Sequence, residues 1–243
     1  MGYVGWIGTF QGEKGTGFEK VFESELTREL RALGAILYCK TSVPHTLMTG
    51  ETVNNIIGYT FNPKNRYLSS GGSSGGEGAL MGLKGSPLGF GTDIGGSIRI
   101  PSAFNGLYGI RPSTGRIPYE GLANSMDGAN SILSVVGPIS PSLSGIKLAM
   151  KAILSQSPWL YDPLVHEIPW RTEQEALPLD SNGRTELYFA VLKSDRFVTP
   201  YPPVQRALSA VVQTLEKQGH KIVEYDGPSF ERCLELNVRP CLI

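Results

Sequence analysis

The chain has 243 residues, of which 40% are apolar and 18% charged, a composition typical of a folded globular protein and not of a disordered one. Its 22 basic and 22 acidic side chains give a formal net charge of zero. This balance provides no basic surface, so neither nucleic acid nor anionic lipid is expected as the main partner.

Apolar spacing in the first forty residues predicts a helix followed by a strand. The helix covers residues 18–33, and Gly34 follows it where a helix C-cap belongs. Its apolar face is formed by Phe22, Leu26, Leu30 and Leu33. The apolar run at residues 35–39 then predicts a short buried strand.

Glycine is concentrated in the centre of the chain. Of the 30 glycines, 11 fall between Gly71 and Gly96. Glycine is used where the backbone turns with positive φ or approaches another group closely. The density therefore indicates either a series of turns or a site built from backbone.

The second half of the chain alternates helices and strands. Residues 146–154 predict a helix, and the Pro-rich and acidic stretch at 156–186 predicts a long irregular connection. A second helix is predicted from Val204 to Leu215, with Gly219 ending it. Two apolar runs, 187–192 and 221–225, predict strands. This alternation favours an α/β fold with a mixed, largely parallel sheet flanked by helices.

The cysteine content and the first residues of the chain bear on its cellular compartment and on whether it forms disulfide bonds or a zinc site. The three cysteines, Cys39, Cys233 and Cys241, are too few and too scattered for a disulfide framework or a zinc site. No metal or cofactor is expected, and a reducing, cytoplasmic location is predicted. No apolar run is long enough to span a bilayer, and the first residues lack the features of a signal peptide.

Several catalytic motifs match only in part. The glycine-rich segment contains neither a P-loop nor a complete dinucleotide fingerprint. Ser73 lies in a Gly-x-Ser-x-Gly string, but the residues before it predict a loop where that motif needs a strand. Ser144 and Lys147 match a Ser-x-x-Lys pair whose other conserved elements are missing, so a helix N-cap is the simpler interpretation.

Two longer strings are more specific. They read Gly-Gly-Ser73-Ser-Gly-Gly-Glu and Gly-Thr-Asp-Ile-Gly-Gly-Ser97-Ile-Arg-x-Pro, with the two serines 24 residues apart. This pattern resembles the amidase signature family, and the flanking blocks at 35–44 and 105–116 resemble its fungal acetamidase-like members. The resemblance extends from about residue 2 to about residue 236 and is sharpest between 35 and 120. It implies a single, partial amidase domain over residues 1–243.

The resemblance implies a serine acyl-enzyme mechanism that hydrolyses a small-molecule carboxylic amide to an acid and ammonia or an amine. Ser97 takes the place of the nucleophile, and Ser73 takes that of a bridging serine whose preceding peptide bond, Gly72–Ser73, is expected to be cis. An oxyanion hole is implied at the backbone N–H groups of Ile94, Gly95, Gly96 and Ser97. Consecutive glycines suit this role because they allow neighbouring N–H groups to converge on one point.

Supporting roles follow in the same way. The resemblance places Asp93 and Arg99 as residues that stabilise this loop, and Leu47, between Thr46 and Met48, in a substrate-contacting stretch.

The third catalytic residue of that family has no counterpart here. It is a lysine well upstream of the bridging serine, and the chain resembles a family domain truncated at both ends. Lys40 matches a different block and is not assigned as the base. Two alternatives to an amidase stay open: an inactive fragment of the same fold, and an α/β-hydrolase esterase that uses Ser73 with His166 or His220. Self-association is left open as well.

Overall fold

The structure is a computed structural model that describes residues 23–238 except 123, 127, 178, 180–182, 184, 226, 228 and 229. The chain divides into two compact units, the first ending at Trp170 and the second beginning at Arg171. None of the helices in the described part is long and apolar enough to cross a membrane.

The first unit contains four α-helices and seven short strands among its described residues. The helices are α1 (Glu25–Ala32), α2 (Gly75–Gly82), α3 (Arg99–Asn105) and α4 (Leu143–Leu154). The strands are β1 (Val53–Asn54), β2 (Gly58–Tyr59), β3 (Phe61–Asn62), β4 (Asn65–Ser69), β5 (Gly89–Asp93), β6 (Tyr108–Gly109) and β7 (Val135–Ser140).

Helix α1 begins later than predicted. Ser24 is extended and its hydroxyl accepts a hydrogen bond from the Thr27 N–H, so this serine is the N-cap. Residues 18–22 of the predicted helix lie outside the described residues. The predicted C-terminal signal is confirmed, because Gly34 follows the helix with a φ of +84°.

The strand predicted at residues 35–39 is not formed. These residues pair with no strand in the described part of the chain, and Ile36 is 87% exposed. An apolar run becomes a buried strand only where another strand or a core covers it. The predicted loop before Ser73 also differs, since β4 forms there by pairing with β3.

The sheets of the first unit are antiparallel. Strand β7 lies between β5 and β6 and pairs antiparallel with both, and the β1–β2 and β3–β4 pairs are antiparallel as well. The mixed α/β class is confirmed, but the described strands are not largely parallel. In the β1–β2 and β3–β4 pairs the connection is too short for the crossover that parallel pairing requires.

Two apolar clusters stabilise the first unit. The larger joins α1 and α4 to strand β7 and the loop before it, through Leu26, Leu30, Ile117, Leu122, Val136, Met150 and Ile153. The smaller lies beneath the glycine-rich segment and contains Met81, Ile98 and Ile139. Ile98 is fully buried one residue after Ser97, so it anchors the segment that carries this serine.

The second unit contains β8 (Tyr188–Val191), α5 (Pro202–Lys217), β9 (Lys221–Glu224) and α6 (Phe230–Val238). Strands β8 and β9 pair in parallel, with Tyr188 opposite Lys221. Helix α5 connects them, as a parallel pair requires. These elements confirm the predicted strands, the predicted helix and its end near Gly219. Residues 156–186 are largely irregular, as predicted, with short 3₁₀ turns at Pro158–Leu160 and Thr172–Gln174.

Candidate active site

Ser73 and Ser97 line the same small cavity in the first unit. The cavity has a volume of about 20 Å³. Ser73 is buried and Ser97 is half-buried. A backbone hydrogen bond of 3.1 Å from the Ser74 N–H to the Ser97 carbonyl oxygen joins the two segments. The two serines that the sequence motif singles out are therefore brought together. The full lining is Leu47, Met48, Ser73, Thr92, Ile94, Ser97, Asn124, Ser125, Met126 and Ser134.

The peptide bond between Gly72 and Ser73 is cis, as predicted. The glycines around it allow one backbone to pack directly on another. A Cβ on Gly72 would lie 2.7 Å from the Glu51 nitrogen, and one on Gly76 would lie 2.2 Å from the Ser42 nitrogen. The Gly76 N–H also donates to the Ser42 carbonyl oxygen at 2.9 Å. Close backbone approach, rather than a series of turns, accounts for these glycines.

Asp93 organises the loop that leads to Ser97. Its fully buried carboxylate accepts hydrogen bonds from the Gly96 N–H at 2.7 Å and from the Ile98 N–H at 3.1 Å. The Arg99 side chain donates to the same carboxylate at 3.0 Å from Nε and 2.9 Å from Nη2. The Nε of Arg111 lies 3.8 Å away. Asp93 therefore connects β5, the Ser97 loop and the start of α3.

The charge state of Asp93 follows from these contacts. Burial alone would raise the pKa of the Asp93 carboxyl. The hydrogen bonds from Arg99, Ile98 and Gly96, together with the Arg99 charge, outweigh burial and hold the pKa below its usual range. The carboxylate is thus ionised at neutral pH and available as an acceptor.

The four N–H groups predicted for the oxyanion hole differ in their bonding. The Gly96 N–H is already bonded to Asp93, so in this structure it stabilises the loop instead of facing a ligand. The N–H groups of Ile94, Gly95 and Ser97 donate to no described residue. Gly95 is exposed, and no atom lies within 4 Å of the place where its Cβ would be. Three of the four donors therefore have no acceptor in the described part of the chain.

Leu47, which the resemblance places in a substrate-contacting stretch, lines the cavity together with Met48. The sequence did not single out the opposite residues, Asn124, Ser125 and Met126. They are more than 75 residues from Leu47 along the chain and carry no motif, so only the tertiary structure brings them to the cavity.

None of the residues lining the cavity in the described part is a lysine, a histidine or a carboxylate. Lys40 is half-buried, and burial lowers the pKa of its amino group to about 8, but it does not line the cavity. Neither His166 nor His220 is among the described residues that line the cavity. In the described residues no group of three His, Cys, Asp or Glu side chains is placed to hold a metal ion.

Comparison with known proteins gives one consistent result. The chain matches the family described as Amidase over residues 14–241. It is 48% identical over 225 residues to an acetamidase of Aspergillus oryzae and 47% identical over 225 residues to an acetamidase of Emericella nidulans. Each alignment covers 93% of this chain, which spans about 40% of the length of these relatives.

A solved structure titled fatty acid amide hydrolase is similar in fold and sequence. It superposes with a TM-score of 0.79 at 42% identity, and the match covers 86% of this chain and 36% of the other.

Proposed function

The chain belongs to the amidase family, and we propose that it carries the nucleophile-bearing part of an enzyme that hydrolyses small carboxylic amides. The observation that carries this proposal is the cavity shared by Ser73 and Ser97, beside a loop with three N–H groups that have no acceptor among the described residues. The family match runs through both compact units, which supports a single partial amidase domain over residues 1–243.

In the proposed reaction the Ser97 Oγ attacks the carbonyl carbon of the amide. A bond forms between this oxygen and the carbon, the carbon–nitrogen bond breaks, and the amine leaves with a proton relayed through the Ser73 hydroxyl. Water then cleaves the acyl-enzyme and releases the acid. Splitting one difficult step into two in this way is the general advantage of a covalent intermediate.

The negative charge that develops on the carbonyl oxygen is placed at the N–H groups of Ile94, Gly95 and Ser97. A fixed donor of this kind lowers an acyl-transfer barrier by about 3 kcal/mol. The contacts of Asp93 and Arg99 support these donors indirectly, because they fix the loop on both sides of Ser97. The Gly96 N–H belongs to this supporting set, which amends the predicted oxyanion hole.

The size of the cavity supports a short acyl group. A volume of about 20 Å³ accommodates roughly one water-sized group. The apolar side chains of Leu47, Met48 and Met126 suit a methyl or ethyl group rather than a charged one. Two of the relatives are named acetamidases, which agrees with this size.

A serine hydroxyl needs a base, and the described residues around the cavity supply none. We propose that a lysine outside the described residues accepts the proton. The second candidate function, a non-catalytic protein of the same fold, is favoured by the same lack of a base among the described residues around the cavity.

A cytoplasmic location is inferred from the cysteine content alone.

Active-site labelling tests the proposal. The 243-residue chain is treated with a fluorophosphonate–biotin probe, and the labelled peptide is mapped. We expect the label on Ser97, its loss in Ser97→Ala, and labelling slowed at least about 100-fold in Ser73→Ala.

The matched control is Ser155→Ala, which removes an exposed hydroxyl at the end of α4. It is expected to label like the parent. A label on Ser73 would favour the esterase alternative, and a folded chain without any label would favour the non-catalytic one.

A further inference from the structure

The turn at residues 45–49, which carries the cavity wall formed by Leu47 and Met48, has an unusual backbone. Thr46 has a φ of +52° and Leu47 a φ of +71°. Left-handed backbone is disfavoured for residues other than glycine, and for a β-branched residue such as threonine it is an outlier. Two such residues in succession persist only where surrounding contacts hold them.

Few contacts hold this turn from within. The Leu47 N–H donates to the Pro44 carbonyl oxygen at 3.3 Å, and the Thr46 hydroxyl donates to the His45 carbonyl oxygen at 2.7 Å. Both bonds span three residues or fewer, so neither fixes the turn relative to the cavity.

One long-range hydrogen bond does so. The Ser125 hydroxyl donates to the Thr46 carbonyl oxygen at 2.5 Å, across 79 residues of sequence. Ser125 and both of its neighbours, Asn124 and Met126, line the cavity opposite the turn. The bond therefore joins the two walls of the cavity to each other.

The same turn also borders a larger pocket. The two ends of the turn, His45 and Thr49, line a pocket of about 270 Å³ together with Pro44, Gly50, Glu51 and Val53. Leu47 and Met48 line the small cavity. The turn thus contributes residues to both pockets, and a displacement of it would change the wall of the small cavity.

We propose that Ser125 is a positioning residue that holds the 45–49 turn in place and thereby restricts the cavity to short acyl groups. This inference rests on the proposed amidase function for its consequence, but the hydrogen bond acts on the turn whether or not the chain is catalytic. Removal of the hydroxyl releases the Thr46 carbonyl, and the turn relaxes toward an ordinary backbone conformation. Longer acyl chains then gain access.

Hydrogen exchange tests the positioning role directly. The reporter is the Leu47 amide, measured by mass spectrometry on the 45–49 peptide of the 243-residue chain. We expect exchange at least 10-fold faster in Ser125→Ala and restored in Ser125→Thr, which keeps the hydroxyl. Ser155→Ala removes a comparable exposed hydroxyl and is expected to change nothing at Leu47. Unchanged exchange in Ser125→Ala, or equal acceleration throughout the first unit, would overturn the proposal.

Amide binding tests whether Ser125 restricts the cavity to short acyl groups. Dissociation constants for acetamide and hexanamide are measured by NMR titration, which needs no turnover. We expect the parent to prefer acetamide and Ser125→Ala to lose at least 5-fold of that preference, with Ser125→Thr like the parent. An unchanged ratio overturns the selectivity role. A parent that binds neither amide overturns the proposed function and the selectivity role with it, whereas Leu47 exchange still decides the positioning role.

Discussion

Residues 70–99 and the second unit of the chain are held in place by different interactions. In the first region, buried polar groups bond to backbone: the Ser70 hydroxyl donates to the Gly75 carbonyl oxygen at 2.8 Å, and Asp93 accepts from the loop before α3. In the second unit, helix α5 buries no residue among those described, and its Val211 is 56% exposed. The first region is therefore specified by internal contacts, whereas the apolar side chains of α5 have little to pack against in their own unit.

The largest effect is expected where the backbones of the first region touch. Gly76 lies in helix α2, where alanine is ordinarily about 1 kcal/mol better than glycine. A Cβ there would lie 2.2 Å from the Ser42 nitrogen, so Gly76→Ala should instead lower the free energy of unfolding by at least about 3 kcal/mol. Urea unfolding of the two chains measures the difference.

The matched control is Gly95→Ala, because no atom lies within 4 Å of its Cβ position. Its stability should stay within about 0.5 kcal/mol of the parent. A Gly76→Ala chain as stable as the parent would show that α2 and the Ser42 segment separate easily.

A pair of aspartates compares the two regions directly. Asp93 and Asp195 each accept two or more backbone N–H bonds, but Asp93 is fully buried whereas Asp195 is only partly buried. Asp93→Ala leaves buried donors without partners and should cost about 2 kcal/mol in urea unfolding. Asp195→Ala should leave the unfolding midpoint unchanged, since water replaces its carboxylate. Equal effects would contradict the contrast between the regions.

The buried carboxyl of Glu29 makes the stability of the first unit depend on pH. The Glu29 carboxylate is fully buried, and neither oxygen accepts a hydrogen bond from a described residue. Burial, reinforced by the nearby charge of Glu25, raises the pKa to about 8 from an ordinary value of 4.5. The folded state therefore binds a proton that the unfolded state releases, and stability falls as pH rises from about 4.5 to 8.

The expected decrease in the melting temperature is on the order of 4 °C between pH 5 and pH 8, measured by circular dichroism. In Glu29→Gln the melting temperature should change little between pH 5 and pH 8. Glu216→Gln changes an exposed side chain of α5, so its melting temperature should depend on pH as in the parent. If the melting temperature of Glu29→Gln fell with rising pH as steeply as that of the parent, the titrating group would be a residue other than Glu29.

The smallest effect is expected in α5. Val211→Ala removes two methyl groups from a side chain that is already half in water, so it should change the free energy of unfolding by about 0.5 kcal/mol or less. A loss of more than about 1 kcal/mol in the free energy of unfolding, measured with urea, would mean that this face of α5 is covered in the folded molecule. The difference between the glycine-rich region and the second unit would then be smaller.

The sequence predicted those parts of the fold that local patterns determine. Helices α4 and α5 and strands β8 and β9 follow from the spacing of apolar residues within one element. The family resemblance carried by the Ser73 and Ser97 motif implied which serines meet and that the bond between Gly72 and Ser73 is cis.

The remaining features depend on partners distant in sequence. The 35–39 segment has strand-like residues but no strand beside it in the described part. Strand β4 has a loop-like composition and forms because β3 pairs with it. Ser125 reaches the cavity through a bond to a backbone oxygen, which leaves no trace in the identity of Thr46.

The direct packing of Gly76 on Ser42 has a consequence for redesign of the protein. Gly72 and Gly76 contribute only backbone to such packing, and a Cβ at either position would overlap the opposing segment, so a mutational library that varies these glycines would consist mostly of unfolded members. The 45–49 turn and residues 124–126 contribute side chains to the cavity beside Ser73. Combinatorial diversity aimed at changing what the cavity binds belongs in those two loops.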